Sequence, residues 1–327
     1  MDNIIERLLS SDEPAVRFKV LVHVLGMDPT CEEVARVQGA VQASPRVRLL
    51  LSERDPEGRI PRGAYNKWRG AHWVLAALAD IGYPPGDNSL LPLRRQVSEW
   101  LLSDRHVKTI RTIDGRVRRC ASQEGNALFA TLALGLAGID EESRQFADEM
   151  AVRLVRWHWP DGGWNCDKNP EAINSSFMES LIPLRALALY ARRTGSTVVA
   201  EAAAEAAEVF LKRYLFKRQT DGSVMAPDFV KLHYPCYWHY DILFGLKVMA
   251  EAGFIDDPRC QEALDLLAAK RLPDGGFPAE GKYYQVTDRR ISNSSPVGWG
   301  GVSKRRMNEF VTADALYVLR KAGRLAV

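Results

Sequence analysis

Six times along this chain a run of helix-forming residues stops at a glycine. The runs are FKVLVHVLG at Gly26, WVLAALADIG at Gly82, FATLALGLAG at Gly138, LRALALYARRTG at Gly195, GLKVMAEAG at Gly253 and ALYVLRKAG at Gly323. Glycine takes the left-handed conformation that ends a helix without a Cβ clash. Successive stops lie 56, 56, 57, 58 and 70 residues apart. Such a period means repeated supersecondary units, none of which can bury its apolar face alone. Between the six runs lies a second set of helical patterns with a charged face and an apolar stripe, at 97–103, 142–157, 201–217 and 261–270, with 45–53 as a further member. Each is followed by a turn signal, at Glu57, Asp114, Asp161, Asp221 and Asp274, mostly Asp-Gly or Asp-Gly-Gly. The unit therefore reads amphipathic helix, DG-type loop, apolar helix, glycine stop.

The glycine-stopped helices are the more apolar set, so they are expected inside, with the charged set around them. No Val/Ile-rich strands alternate with the helices, which excludes a parallel α/β sheet. Two helical layers of six units are expected to close as an all-α (α/α)6 barrel, or toroid, with 1–327 as one domain. Composition agrees: 46% apolar and 26% charged residues exclude a disordered chain. The net charge is only +3, with no basic tail, which argues against nucleic acid as a partner. The longest apolar stretch, 127–139, is too short to span a bilayer, although a peripheral membrane contact needs only an apolar patch. The opening residues, MDNIIERLLSSDEP, carry acids on both sides of a short apolar run, unlike a signal peptide. Five scattered cysteines, an odd number without a CxxC pair, fit a reducing compartment. A cytoplasmic location follows as the expectation.

Three segments carry a resemblance: WHWPDGGWNC around Asp161, KRLPDGGFPAEG around Asp274, and KLHYPCYWHYDILFGL from Lys231 to Leu246. Together with the repeat grammar they resemble the terpenoid cyclase and protein prenyltransferase superfamily, with the third segment similar to an inner helix of the prenyltransferase β subunits. The resemblance implies a divergent, single-domain toroid. It also sets two departures in view. The DxDD motif by which class II terpene cyclases protonate an alkene is missing, and so is the Asp-x-Cys pair through which the prenyltransferases hold zinc. The segment His233-Tyr234-Pro235-Cys236-Tyr237 has histidine and tyrosine exchanged relative to the prenyltransferase pattern.

Counting back from each stop places Trp68, Glu124, His239 and Glu309 at one level, with Lys67, Gln123, Trp238 and Asn308 one residue earlier. Gly70, Asn126 and Asp241 fall two residues later. These levels lie at the N-terminal ends of the inner helices, where a toroid would hold its cavity. Glu124, His239, Asp241 and Glu309 are the candidate catalytic set, with Asp241 or Glu124 as proton donor and His239 orienting or exchanging the proton. Trp68, His72, Trp73, Asn126, Tyr237, Trp238, Tyr240 and Asn308 are the candidate substrate-binding set, aromatic faces being able to stack on a ligand or stabilise a cation. Alanine at Asp241 is expected to abolish turnover with the fold intact.

Each assignment has a structural rival. Acids at helix starts satisfy free amides, aromatic residues fill cores, and Ser176 with Glu179 reads as an S-x-x-E capping box. Pro183 is expected to kink or begin its helix. The basic runs at 116–119 and 304–306 suit a phosphate or a solvated loop. Cys120, Cys166, Cys236, His233 and His239 have the chemistry of zinc ligands but no diagnostic spacing, so no metal site is assigned. No P-loop, dinucleotide fingerprint or nucleophile elbow occurs, and no cofactor is assigned. The expected function is that of a terpene cyclase- or prenyltransferase-like enzyme on a hydrophobic or partly polar small molecule. The alternatives are a toroid that binds a ligand or protein without turnover, and a carbohydrate-active α/α barrel.

Overall fold

The computed structural model describes residues 3–289 and 291–325. Met1 and Asp2 of the opening segment lie outside them. Among the described residues there are fourteen α-helices, and the only strands are two pairs of two or three residues each. The protein is all-α. Among the described residues no helix is long and apolar enough to cross a membrane.

The chain forms two compact units, the first made of Met1–Ser52, Asp80–Pro84 and Arg213–Val327, the second of Glu53–Ala79 and Pro85–Lys212. Both show the alternation of helices that the sequence predicts. In the second unit Ser122–Ala133 buries ten of its twelve residues, whereas Glu141–Arg156 buries six of sixteen on a single face. In the first unit Glu309–Lys321 buries ten of thirteen, against three of eleven for Glu32–Gln42. Packing partners follow from this burial. Phe177–Thr194 lies against both Ser122–Ala133 and Thr197–Leu211, and Ile242–Ala252 lies against Glu309–Lys321.

Five of the six stops take the left-handed conformation at the expected glycine, with φ between 67° and 86°. The third differs. Gly135, not Gly138, has φ 66°, and Leu136–Gly138 is a 3-10 turn beyond it. Both glycines are locally suitable; the choice is made by packing. The Gly86 amide donates to the Leu134 carbonyl at 2.9 Å, and a Cβ on Gly135 would meet Pro85 and Gly86 at 3.0 and 3.1 Å.

Another glycine sets how closely two helices approach. A Cβ on Gly125 would lie 2.8 Å from the Pro183 nitrogen and 3.0 Å from the Ile182 carbonyl carbon. Pro183 sits inside Phe177–Thr194, which continues through it. Pro183 has no N–H to offer the carbonyl of Glu179, four residues back.

The core of the first unit contains a ring of charges that the sequence pattern did not reveal. Lys19 Nζ lies 2.9 Å from Asp314 and 3.3 Å from Asp80; Lys247 Nζ lies 3.0 Å from Asp314 and 2.8 Å from Asp80. The Tyr234 hydroxyl donates to Asp80 at 2.9 Å. Two cations and two anions thus neutralise one another, with Lys19 only 2% exposed. Removing one partner of such a set strands an uncompensated buried charge. Asp314→Ala is expected to destabilise the protein by about 3–5 kcal/mol, read from urea unfolding; a loss under about 1 kcal/mol would show the ring to be solvated.

Candidate functional site

The second unit assembles its polar residues through three local devices. The first is a hairpin, Arg111–Ile113 paired antiparallel with Arg116–Arg118, whose Asp114-Gly115 turn has positive φ at both residues, as a tight hairpin turn requires. It delivers Arg118, Arg119 and Cys120 to the start of Ser122–Ala133. The second is the Asp161-Gly162-Gly163-Trp164 loop. Asp161 accepts from the Ser175 amide and hydroxyl at 2.7 and 2.6 Å, closing the loop on itself. Gly163 lets the backbone approach Ser180, whose Oγ would sit 2.4 Å from a Cβ there. Trp164 is buried and donates its indole N–H to the Leu154 carbonyl at 3.0 Å. The third device joins the first two: Arg118 and Asn165 pair in parallel, and the Arg119 amide donates to the Asn165 carbonyl at 3.1 Å.

This pairing brings Cys120 beside Cys166. Their sulfurs and a Glu179 carboxylate oxygen all lie within 4.8 Å of one another. The expected Ser176–Glu179 capping box does not form. Ser176 is the N-cap of Phe177–Thr194 but makes no side-chain cap bond. Glu179 instead accepts from the Ser122 amide of the neighbouring helix at 3.0 Å, and its other oxygen faces Cys166 Sγ at 3.6 Å. A long-range amide has displaced the local one. Burial raises the Glu179 pKa, with the charge of Glu124 acting in the same direction. The neighbouring Cys166 thiol and burial raise the Cys120 pKa.

Next to this group lies Glu124, fully buried. Its Oε1 accepts from Arg119 Nε and Nη2 at 3.0 and 2.8 Å. Arg119 also reaches Gln123 at 2.8 Å and contacts His106 Nε2. Among the described residues Glu124 Oε2 has no hydrogen-bond partner, nor has Asn126 Nδ2, nor either ring nitrogen of His72. His72 is enclosed by Tyr65, Trp73 and Trp100, with ring centroids 4.8–5.6 Å away, and Trp68 stands edge-on to Trp73 at 4.7 Å. Of the basic run at 116–119, Arg118 and Arg119 are buried ligands of the protein itself, Arg118 donating to the Ala172 carbonyl at 2.7 Å. The run at 304–306 is solvated.

The first unit holds the other sequence candidates, and there they are spoken for. Asp241 is the N-cap of Ile242–Ala252, accepting from the Phe244 amide at 2.8 Å through Oδ1. Its Oδ2 accepts from the His233 amide, His233 Nδ1 and Cys236 Sγ at 2.7, 3.1 and 3.4 Å. Four donors on one buried carboxylate make Asp241 a brace. Its removal strands buried donors, so an intact fold is no longer the expectation for Asp241→Ala. Asn308 likewise caps Glu309–Lys321, accepting from Phe310 and Val311 and donating to the Trp299 carbonyl. Glu309 accepts from the Ser11 hydroxyl at 2.9 Å, and Tyr240 donates to the Leu215 carbonyl at 2.6 Å. His239 precedes its helix rather than sitting on it, stacked between Trp238 and Tyr283 at 3.9 and 3.6 Å. Tyr237 has φ 52°, and burial raises the pKa of its hydroxyl.

The prenyltransferase zinc pattern does not fit the His233–Cys236 segment. The thiol and the imidazole both converge on the single oxygen Asp241 Oδ2, so the three side chains do not offer three separate donors to an ion. Burial and the adjacent Asp241 also hold the Cys236 pKa well above its ordinary value. Sequence reading did not single out Tyr65 and His106 of the second-unit cluster; it had Arg119 only within a basic run suited to a phosphate or a solvated loop, and Glu179 as part of a capping box. Comparison with protein-family models and with curated proteins finds no match for this chain.

Burial, with Arg119 and His106 nearby, lowers the His72 pKa from 6.5 to about 3. Between those values the unfolded chain binds a proton that the folded chain refuses, so stability is complete above about pH 6.5 and falls as pH drops toward 3. Each pH unit in this window costs at most about 1.4 kcal/mol. His72→Gln is expected to flatten the pH dependence of the unfolding free energy between pH 6.5 and 5. An unchanged slope would place the titration elsewhere.

Proposed function

We propose that this chain is an enzyme acting on a small, hydrophobic or partly polar molecule, built on a terpenoid cyclase- and prenyltransferase-like (α/α)6 toroid over 1–327. The glycine stops, the DG-type loops and the alternation of deeply and singly buried helices support that architecture. The reaction is assigned to the polar cluster of the second unit. One observation carries this assignment: Glu124 Oε2, Asn126 Nδ2 and both His72 nitrogens are buried polar atoms without a partner, in a single unit. Each such atom costs about 1–3 kcal/mol, a loss that a bound polar group would recover.

Glu124 has the geometry of a base. Arg119 holds Oε1 in place, which leaves Oε2 to accept a proton or hydrogen bond from a ligand. The Asn126 amide is a further buried donor on the same helix, and Tyr65, Trp73 and Trp100 supply apolar walls around His72. This changes the role drawn from sequence, where Glu124 was to give a proton. It also moves the chemistry away from Asp241 and His239.

The test is conversion of a panel of isoprenoid diphosphates and alcohols, followed by mass spectrometry. Glu124→Gln keeps a carbonyl oxygen for Arg119 and is expected to lower turnover of the folded protein by about 10²–10⁴-fold, with a loss of stability as well because the buried Arg119 charge loses its counter-charge. Equal turnover by the variant would remove Glu124 from the mechanism. Failure of the wild-type protein to bind or convert any member would favour the non-catalytic toroid.

A further inference from the structure

We propose that Cys120, Cys166 and Glu179 form a binding site for one thiophilic divalent cation of the zinc type, with a coordination position left open. The two sulfurs and the carboxylate come from the end of the hairpin, the loop after Trp164 and the first turn of Phe177–Thr194, yet their donor atoms lie within 4.8 Å of one another. In a tetrahedral zinc site, bonds of about 2.3 Å to sulfur and about 2.1 Å to oxygen separate a sulfur from an oxygen by roughly 3.6 Å. Cys166 Sγ stands 3.6 Å from Glu179 Oε1. Binding therefore needs only a small inward movement of the third donor.

The surroundings are arranged for this. The Ser122 amide holds Glu179 Oε2, which fixes the carboxylate and turns Oε1 toward the thiols, the kind of outer support that metal ligands receive. The Arg118–Asn165 pairing fixes the backbones of both cysteine segments. Glu179 is buried and both cysteines are half-buried, so the site is sheltered but reachable. Two thiolates and one carboxylate select zinc over magnesium or calcium, which prefer oxygen donors throughout. Three protein ligands with one free position is the pattern of zinc sites that act on a bound water or substrate. On binding, the cation replaces the thiol protons, which pass to solvent. The donor set is unrelated to the His233–Cys236 segment, and metal binding is measured without substrate, so it stands or falls separately from the role given to Glu124.

The experiment is titration of the reduced, full-length protein with cobalt(II) and then zinc, with total metal measured after gel filtration. One equivalent of cobalt is expected, with a thiolate-to-cobalt charge-transfer band that zinc displaces. Cys166→Ser should abolish the band at stoichiometric cobalt, and Cys31→Ser should leave it unchanged. Should Cys166→Ser fail to fold, alkylation of the wild-type protein gives the same answer: zinc is expected to slow modification of Cys120 and Cys166 by at least tenfold and that of Cys31 not at all. No bound cobalt, a band that survives Cys166→Ser, unprotected Cys120 and Cys166, or a Cys120–Cys166 disulfide in protein kept under reductant would each overturn the site.

Discussion

A helix buried on all sides cannot send its first amides to water. That constraint governs this protein more than any single contact, because the glycine-stopped helices are nearly all core. Each needs an acceptor at its N-terminus: for Ala71–Asp80 a backbone carbonyl, Ala64, takes the His72 amide, and for several others a buried side chain serves. Asp241 serves Ile242–Ala252, Asn308 serves Glu309–Lys321, and Glu179 reaches from its own helix to the start of Ser122–Ala133. Polar residues therefore gather at one end of the inner helices for reasons of folding. Two members of the recurring polar level seen in the sequence, Asp241 and Asn308, are such caps.

What remains after the caps are subtracted is more informative. In the first unit little is left: Asp241 has four donors, Asn308 uses both ends of its amide, and Tyr240 is tied to a carbonyl. In the second unit, Glu124 Oε2, Asn126 Nδ2 and His72 are left over, beside two thiols and a carboxylate in ligand-like proximity. Other buried atoms, such as Arg94 Nε and Arg320 Nη1, also lack a partner among the described residues; what sets these apart is their place beside the Arg119–Glu124 pair and the two thiols.

The glycine stops were legible because a left-handed cap is a local demand, met by one residue type. Where two glycines were available, as at Gly135 and Gly138, only the Pro85–Gly86 turn could decide between them. The pairing of Cys120 with Cys166 was not legible, since it depends on a bridge between Arg118 and Asn165, 47 residues apart. Glu179 was misread for the opposite reason: a local capping box is easy to see, and the competing Ser122 amide is visible only in three dimensions. The Lys19, Asp80, Lys247 and Asp314 ring escaped because its members come from four different helices and meet only in the folded core.

The division between caps and site is tested most directly by comparing two unfolding free energies, for Asp241→Ala and Asn126→Leu. Loss of a cap with four buried donors is expected to destabilise the protein by at least about 2 kcal/mol. Replacing an amide that lacks a partner with an apolar side chain of similar size is expected to be neutral or stabilising. The reverse order, a tolerant Asp241 and a structurally required Asn126, would contradict the assignment of the first unit to structure and the second to function.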